Sequence, residues 1–235
     1  MNAKRLFLRV FGFFFPNVCF SCGRIIGEGK HLCDECEETL LDISAETACP
    51  FCGIEKPDCD CAYSVYYFKS AAACFYNEGS AKNLVYNYKL GRKDYYCGYL
   101  ADFMSENIKA KFKDVKFDYI VSVPPTAKSL IKRGFDQTRL LAKCISKRIG
   151  VPLRNGVIGC RPFNPSQHES TNYKERFKNV KGKYYVKKRI NAENVLLVDD
   201  IKSTGATLDA CARELLYSGA KRVYCVTFVA GGLKS

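Results

Sequence analysis

Asn194-Val195-Leu196-Leu197-Val198-Asp199-Asp200-Ile201-Lys202-Ser203-Thr204-Gly205-Ala206-Thr207-Leu208 is the stretch on which the reading of this chain turns. The apolar run Val195 to Val198 predicts a strand buried on both faces, as in a parallel sheet. It ends on two carboxylates and enters a small, hydroxyl-rich loop around Gly205. A helix follows, because Leu208, Cys211, Ala212, Leu215 and Leu216 recur with the spacing of one helical face. Gly219 supplies its stop, and Arg222 to Val229 reads as a second apolar strand. A strand–helix–strand unit of this kind puts a ligand at the carboxyl end of the sheet and an anion at the helix N-terminus. The amides of Thr204, Gly205, Ala206 and Thr207, with the hydroxyls of Ser203, Thr204 and Thr207, are placed to enclose a phosphate. Asp199 and Asp200 then face a sugar's hydroxyls, directly or through a hydrated magnesium ion. A Walker B reading of the strand needs an upstream G-x-x-x-x-G-K-[ST], and a dinucleotide fold needs G-x-G-x-x-G; the sequence contains neither.

The 235-residue chain is ordinary in bulk: 47% hydrophobic, 26% charged, with 16 Phe and 15 Tyr. That composition disfavours disorder, and 17 Gly with 8 Pro excludes collagen-like and low-complexity classes. The longest apolar stretch, Leu6 to Phe15, is interrupted by Arg9 and is too short to cross a bilayer, so no membrane insertion is expected. Lys4 and Arg5 precede it as in a signal peptide, but no small-x-small cleavage site follows. A short helix capping the core, in a cytoplasmic protein, is the expectation.

Charge and cysteine divide the chain near residue 62. Residues 1–62 hold six Lys/Arg and ten Asp/Glu, whereas residues 63–235 hold 31 and 14. Between Lys128 and Arg189 lie 17 basic residues and three acids, a stripe suited to a polyanion or simply to solvation. Eight of the 14 cysteines fall in the first part, as Cys19-x2-Cys22, Cys33-x2-Cys36, Cys49-x2-Cys52 and Cys59-x-Cys61. Two residues between thiols is the spacing of a knuckle, in which one tight turn aims both sulfurs at one ion. Eight thiols make two tetrahedral zinc sites of structural type. Their pairing is sequential or interleaved; spacing allows both. Gly23 and Gly53 follow their knuckles where a left-handed backbone is needed. Phe20, Ile25, Ile26 and Leu40 are too few for a core, so metal supplies the folding energy. Disulfides are the rival reading and require an oxidising compartment. His31 reads as a bystander, and Cys74, Cys97, Cys144, Cys160, Cys211 and Cys225 as small core residues.

The Val195–Leu208 stretch resembles the phosphoribosyl-diphosphate-binding signature of type I phosphoribosyltransferases, with Ser203 in place of a threonine and Lys202 in place of an apolar or small residue. With the cysteine module in front, the chain resembles the ComF family, phosphoribosyltransferase-like proteins linked to natural competence. Tyr119-Ile120-Val121-Ser122-Val123-Pro124-Pro125 and Arg133-Gly134-Phe135-Asp136-Gln137 carry that likeness, Asp136 replacing Asn. Arg176 to Gly182 and the positions Tyr76, Gly79, Lys89 and Gly91 extend it.

The resemblance implies an α/β fold, a type I phosphoribosyltransferase-like parallel sheet flanked by helices over residues 63–235, preceded by a double zinc ribbon over residues 1–62. Strands are expected near 119–123, 195–199 and 223–229, with segment 63–76 as an extra strand or hood. It implies two structural zinc ions and a magnesium ion bound with phosphoribosyl diphosphate. Asp199 and Asp200 are the candidate catalytic residues. Ser203, Thr204, Gly205, Ala206, Thr207, Pro125 and Arg133 are the further candidates for holding the ligand, with the amides beyond Pro124 and Pro125 on its pyrophosphate. Lys128 is a candidate to add charge; Lys174, Arg176 and Lys178 are candidates to close over the site, and His168 is a weaker candidate base. The implied role is in DNA uptake, with single-stranded DNA and competence proteins as partners. A pentosyl-transferring enzyme with an unidentified acceptor, a non-catalytic single-stranded-DNA-binding module and a ligand sensor are all compatible with these residues.

Overall fold

The computed structural model describes residues 16–43, 47–55, 59, 61, 66–90, 94–162 and 180–231. The N-terminal apolar stretch, the expected boundary at 62/63, and His168, Lys174, Arg176 and Lys178 lie outside the described residues.

A parallel sheet in the order β1 (Ser70–Tyr76), β7 (Ala220–Ala230), β5 (Ala192–Val198), β2 (Tyr119–Ser122) forms the centre of the molecule. The apolar run of β5 is buried on both sides, as its sequence requires. Leu196 and Val198 enter one core, while Val195 and Leu197 enter the other. On the first face pack α2 (Gly79–Leu90), α3 (Asp94–Lys111) and α5 (Gln137–Ile149), through Leu84, Tyr88, Leu100, Met104, Leu141 and Ile145. On the second face lies α6 (Ala206–Ser218), through Leu208, Cys211 and Leu215, beside the antiparallel hairpin of β3 (Ile158–Cys160) and β4 (Tyr184–Val186). The short α4 (Ala127–Arg133) joins β2 to α5. Segment 63–76 does supply an extra strand, β1, at one edge.

The strand carrying the acids does not stop at them. After Asp199 and Asp200 the chain resumes as β6 (Ile201–Lys202), still beside β7 and in unbroken register, Val198 opposite Val226 and Ile201 opposite Val229. The Asp199 amide donates to the Val226 carbonyl at 3.1 Å, and the Asp200 carbonyl accepts from the Phe228 and Val229 amides at 3.2 Å. The main chain of the acid pair is thus held by the sheet itself.

Gly219 ends α6 at φ 112, and a Cβ there would lie 2.1 Å from the Ile190 carbonyl oxygen. Gly219→Ala is expected to destabilise the fold by about 3 kcal/mol, from left-handed strain plus overpacking. Gly23 has φ 78 but open space around it, so Gly23→Ala should cost only about 1 kcal/mol. Urea midpoints of the two variants provide the comparison.

The cysteine-rich segment, which carries the short helix α1 (Asp34–Glu38), docks on this α/β unit rather than standing apart. Cys19, Phe20, Leu32 and Cys33 belong to the first core, and the Phe20 ring lies 4.0 Å from that of Tyr96 on α3. Asn87 of α2 donates to the carbonyls of Phe20 and Ser21 at 2.9 and 2.8 Å. Ile43, Ala48, Cys52 and Ile54 form a further core with Ala73 of β1 and Ala230 of β7. Of the four apolar residues noted in the sequence, Ile25 is exposed, and Ile26 and Leu40 pack half-buried against the larger core. Cys74, Cys211 and Cys225 are buried as expected, whereas Cys97 and Cys144 are joined by a disulfide between α3 and α5. No helix among the described residues is long and apolar enough to cross a membrane.

Candidate functional site

β2 and β5 are neighbours, yet the helices that follow them pack on opposite faces, α5 with the first core and α6 with the second. Adjacent parallel strands whose connections diverge leave a crevice at their carboxyl ends. Ser122 pairs with Val198, and the Val123 amide donates to the Val198 carbonyl at 3.0 Å. The Pro124–Pro125 loop therefore leaves the sheet directly beside Asp199.

Both acids are buried, 9% and 6% exposed. The Asp199 carboxylate accepts the Asp200 amide at 2.9 Å, while Asp200 Oδ1 lies 3.0 Å from Lys89 Nζ. Burial first, and the Asp200 charge second, push Asp199 up to about 8 against the pull of Lys89 and Arg133. Arg133 ends α4 and donates to Gln137 Oε1 at 2.5 Å. Asp136 caps α5, its Oδ1 accepting the Arg139 amide at 2.9 Å, a role in which Asp serves as well as Asn.

The hydroxyl-rich loop is more internally engaged than its sequence suggests. Thr204 is buried, and its Oγ1 accepts the Ala206 amide at 3.3 Å. Gly205 takes the left-handed conformation that starts α6, and its position is confined by Tyr66, whose hydroxyl donates to the Thr204 carbonyl at 3.3 Å. The Thr207 hydroxyl meets that of Tyr184. Asp199, Asp200, the 203–207 loop, Pro125 and Arg133 thus gather at one edge of the sheet. Lys128 is exposed on α4. Lys202 is only 3% exposed, and its charge opposes the burial that pushes the Cys52 thiol up to about 11. Its ammonium faces the second cysteine cluster.

The cysteines form two groups, Cys19/Cys22/Cys33/Cys36 and Cys49/Cys52/Cys59/Cys61, with all sulfurs of a group within 4.8 Å of one another. This is the sequential pairing. Cys22 and Cys33 are 3.8 Å apart, Cys49 and Cys61 3.8 Å, and Cys52 and Cys59 3.5 Å. Zinc–sulfur bonds of about 2.3 Å in a tetrahedron separate sulfurs by about 3.8 Å, so the donor set fits zinc. The two knuckles followed by glycine close as anticipated: Gly23 and Gly53 have φ 78 and 73, and their amides donate to the Cys19 and Cys49 carbonyls. Burial opposes ionisation, but main-chain donors of Cys22, Cys33 and Ser21 bring Cys19 down to about 6. Those of Cys52 and Phe51 likewise help bring Cys49 to about 7. Each site thereby holds one thiol ready to bind metal near neutral pH. His31 packs at a tilt against Phe20 and Tyr99 and joins neither group.

The acid pair offers the hard oxygen donors magnesium prefers, so the residues fit that ion as well. Lys89, Gln137, Tyr66 and Tyr184 are the neighbours that sequence reading did not place in the site. Lys89 and Gln137 did stand in quoted motifs, which was the available signal.

A parallel α/β sheet with its crevice at the carboxyl edge and two tetracysteine sites in front defines the class. The family model for the double zinc ribbon domain matches residues 10–74. Over most of its length the chain is homologous to two kinds of curated protein, as the ComF resemblance implies. It is 23% identical to "DNA utilization protein YhgH" of Salmonella typhimurium, covering 89% of each chain. It is 24% identical to "Competence protein ComFC" of Streptococcus pneumoniae, covering 84% of this chain and 87% of the other. Among solved structures, glutamine phosphoribosylpyrophosphate amidotransferase of B. subtilis aligns with 60% of this chain and 30% of its own, at 15% identity and a TM-score of 0.40.

Proposed function

We propose that this protein binds phosphoribosyl diphosphate with magnesium in the β2/β5 crevice and acts in DNA uptake. Residues 1–62 form its zinc ribbon and residues 63–235 its ligand-binding unit, in a cytoplasmic setting. The observation that carries the reading is the convergence of Asp199, Asp200, the 203–207 loop, Pro125 and Arg133 at one carboxyl edge. The names of its relatives supply the biological context.

In this reading Asp199 and Asp200 orient the ribose hydroxyls and the main chain of Thr204 to Thr207 holds the 5-phosphate. Arg133 and the amides after Pro125 face the pyrophosphate. Magnesium, when bound, supplies positive charge to the pyrophosphate oxygens. Loss of pyrophosphate from C1 leaves an oxocarbenium-like carbon, and donors fixed on the leaving oxygens favour that state. Calorimetric titration of phosphoribosyl diphosphate, with and without magnesium, tests the assignment. Saturable heat only when magnesium is present is expected; no heat under either condition overturns it.

A second reading, binding of single-stranded DNA, is favoured by one feature. Arg139, Lys143 and Lys147 are exposed at intervals of four along α5, with Lys128 and Lys132 exposed on α4. Five phosphate contacts would give a log–log salt slope of about −3.5 for a single strand. A flat salt response would remove this reading and leave the sugar-diphosphate site untouched.

A further inference from the structure

Lys89 occupies the acid pair from a helix that sequence reading left without a role. It sits in the last turn of α2, and its Nζ lies 3.0 Å from Asp200 Oδ1, with 21% and 9% of the two side chains exposed. The helix end is itself fastened down. Gln137, 3% exposed, donates from Nε2 to the Lys89 carbonyl at 2.7 Å and accepts Arg133 on Oε1. The Tyr88 hydroxyl donates to the Gln137 carbonyl at 2.7 Å. One buried carboxamide therefore fixes both cations that face the acids, Lys89 through its backbone and Arg133 through its guanidinium.

We infer that Lys89 is the internal counter-ion of the ligand-free site and keeps a divalent cation off the acid pair until the sugar diphosphate arrives. The inference rests on the ligand reading above. With the ammonium seated on Asp200, a hydrated divalent ion gains little by approaching, and it gives up water reluctantly. Displacing Lys89 alone would strand a half-buried ammonium without its partner. A metal-bound diphosphate changes both conditions, because it delivers the cation already partly coordinated and offers phosphate oxygens to the released lysine. Metal and ligand then enter together, a positive coupling between two ligands of one site.

The experiment is manganese binding to the full-length, zinc-loaded protein, followed by the loss of the free-ion paramagnetic resonance signal without any nucleotide or sugar. Wild type and Lys89→Arg should bind manganese only weakly. Lys89→Met should bind at least about tenfold more tightly, and Asp200→Asn in that background should abolish the gain. Manganese affinity in Lys89→Met equal to that of wild type, with unchanged circular dichroism and zinc content, overturns the inference. Failure of wild type to bind phosphoribosyl diphosphate with magnesium, measured separately, overturns the ligand reading instead.

Discussion

Stripping zinc is expected to lower the thermal midpoint of the whole protein by more than 10 °C, not merely to loosen its N-terminal segment. A structural tetrathiolate site contributes roughly 10 kcal/mol or more of apparent folding energy at neutral pH, and 1 kcal/mol is worth about 2–4 °C in a chain of this size. Transmission to the α/β unit follows from where the ligands sit. Cys19 and Cys33 lie within the first core, and Cys52, 0% exposed, packs among Ile43, Ala73 and Ala230. Gly53 approaches β1 so closely that a Cβ would stand 2.7 Å from the Ala71 carbonyl oxygen. Loss of the second site therefore releases the edge strand β1 and strands Lys202 and Lys111, the cations that face Cys52. Cys52→Ser should be more damaging than Cys22→Ser, whose sulfur is exposed. Elemental analysis should find two zinc ions per chain. A ratio near zero with oxidised thiols, or a midpoint indifferent to chelation, would refute this.

The acid pair should trade stability against binding. Asp199 is raised from an ordinary value of 3.8 to about 8 by burial and by Asp200. The folded state thus keeps a proton that the unfolded chain surrenders, and stability falls as pH rises from about 4 to about 8. Asp199→Asn carries no charge at any of these values. The variant should therefore match wild type near pH 4 and exceed it above pH 7, by about 1 kcal/mol or more, equivalent to ~2–4 °C in the thermal midpoint. Ligand binding should move the opposite way. Asp199→Asn with Asp200→Asn is expected to weaken magnesium-dependent binding of phosphoribosyl diphosphate by at least about a hundredfold, the loss of two charge-assisted contacts. Because the bound cation favours the ionised acid, wild-type affinity should rise between pH 6 and 9 with release of a proton. Titrations in two buffers of different ionisation heat measure that proton. Equal affinity in the double variant sinks the site; a variant less stable than wild type at pH 8 sinks the burial argument.

Local chemistry made much of this protein legible from its residues. Val195 to Val198 announced a strand buried on both faces, the spacing of Leu208, Cys211, Ala212 and Leu215 announced α6, and Gly219 its end, because periodicity and φ preference are properties of a few neighbouring residues. The knuckles were legible for the same reason: two thiols on one tight turn need only four residues and a glycine. Tertiary packing decided what depends on residues remote in sequence. Spacing left the pairing of eight cysteines open, and the sequential pairing emerges only when four sulfurs converge. Lys202 looked like a loop side chain until β6 set it beside β7, 3% exposed, where it faces Cys52 of the second cluster. Lys89 and Asp200 are separated by 110 intervening residues, and no local pattern joins them. That ion pair forms because α2 and β5 pack into one core, and burial makes an ammonium and a carboxylate seek each other.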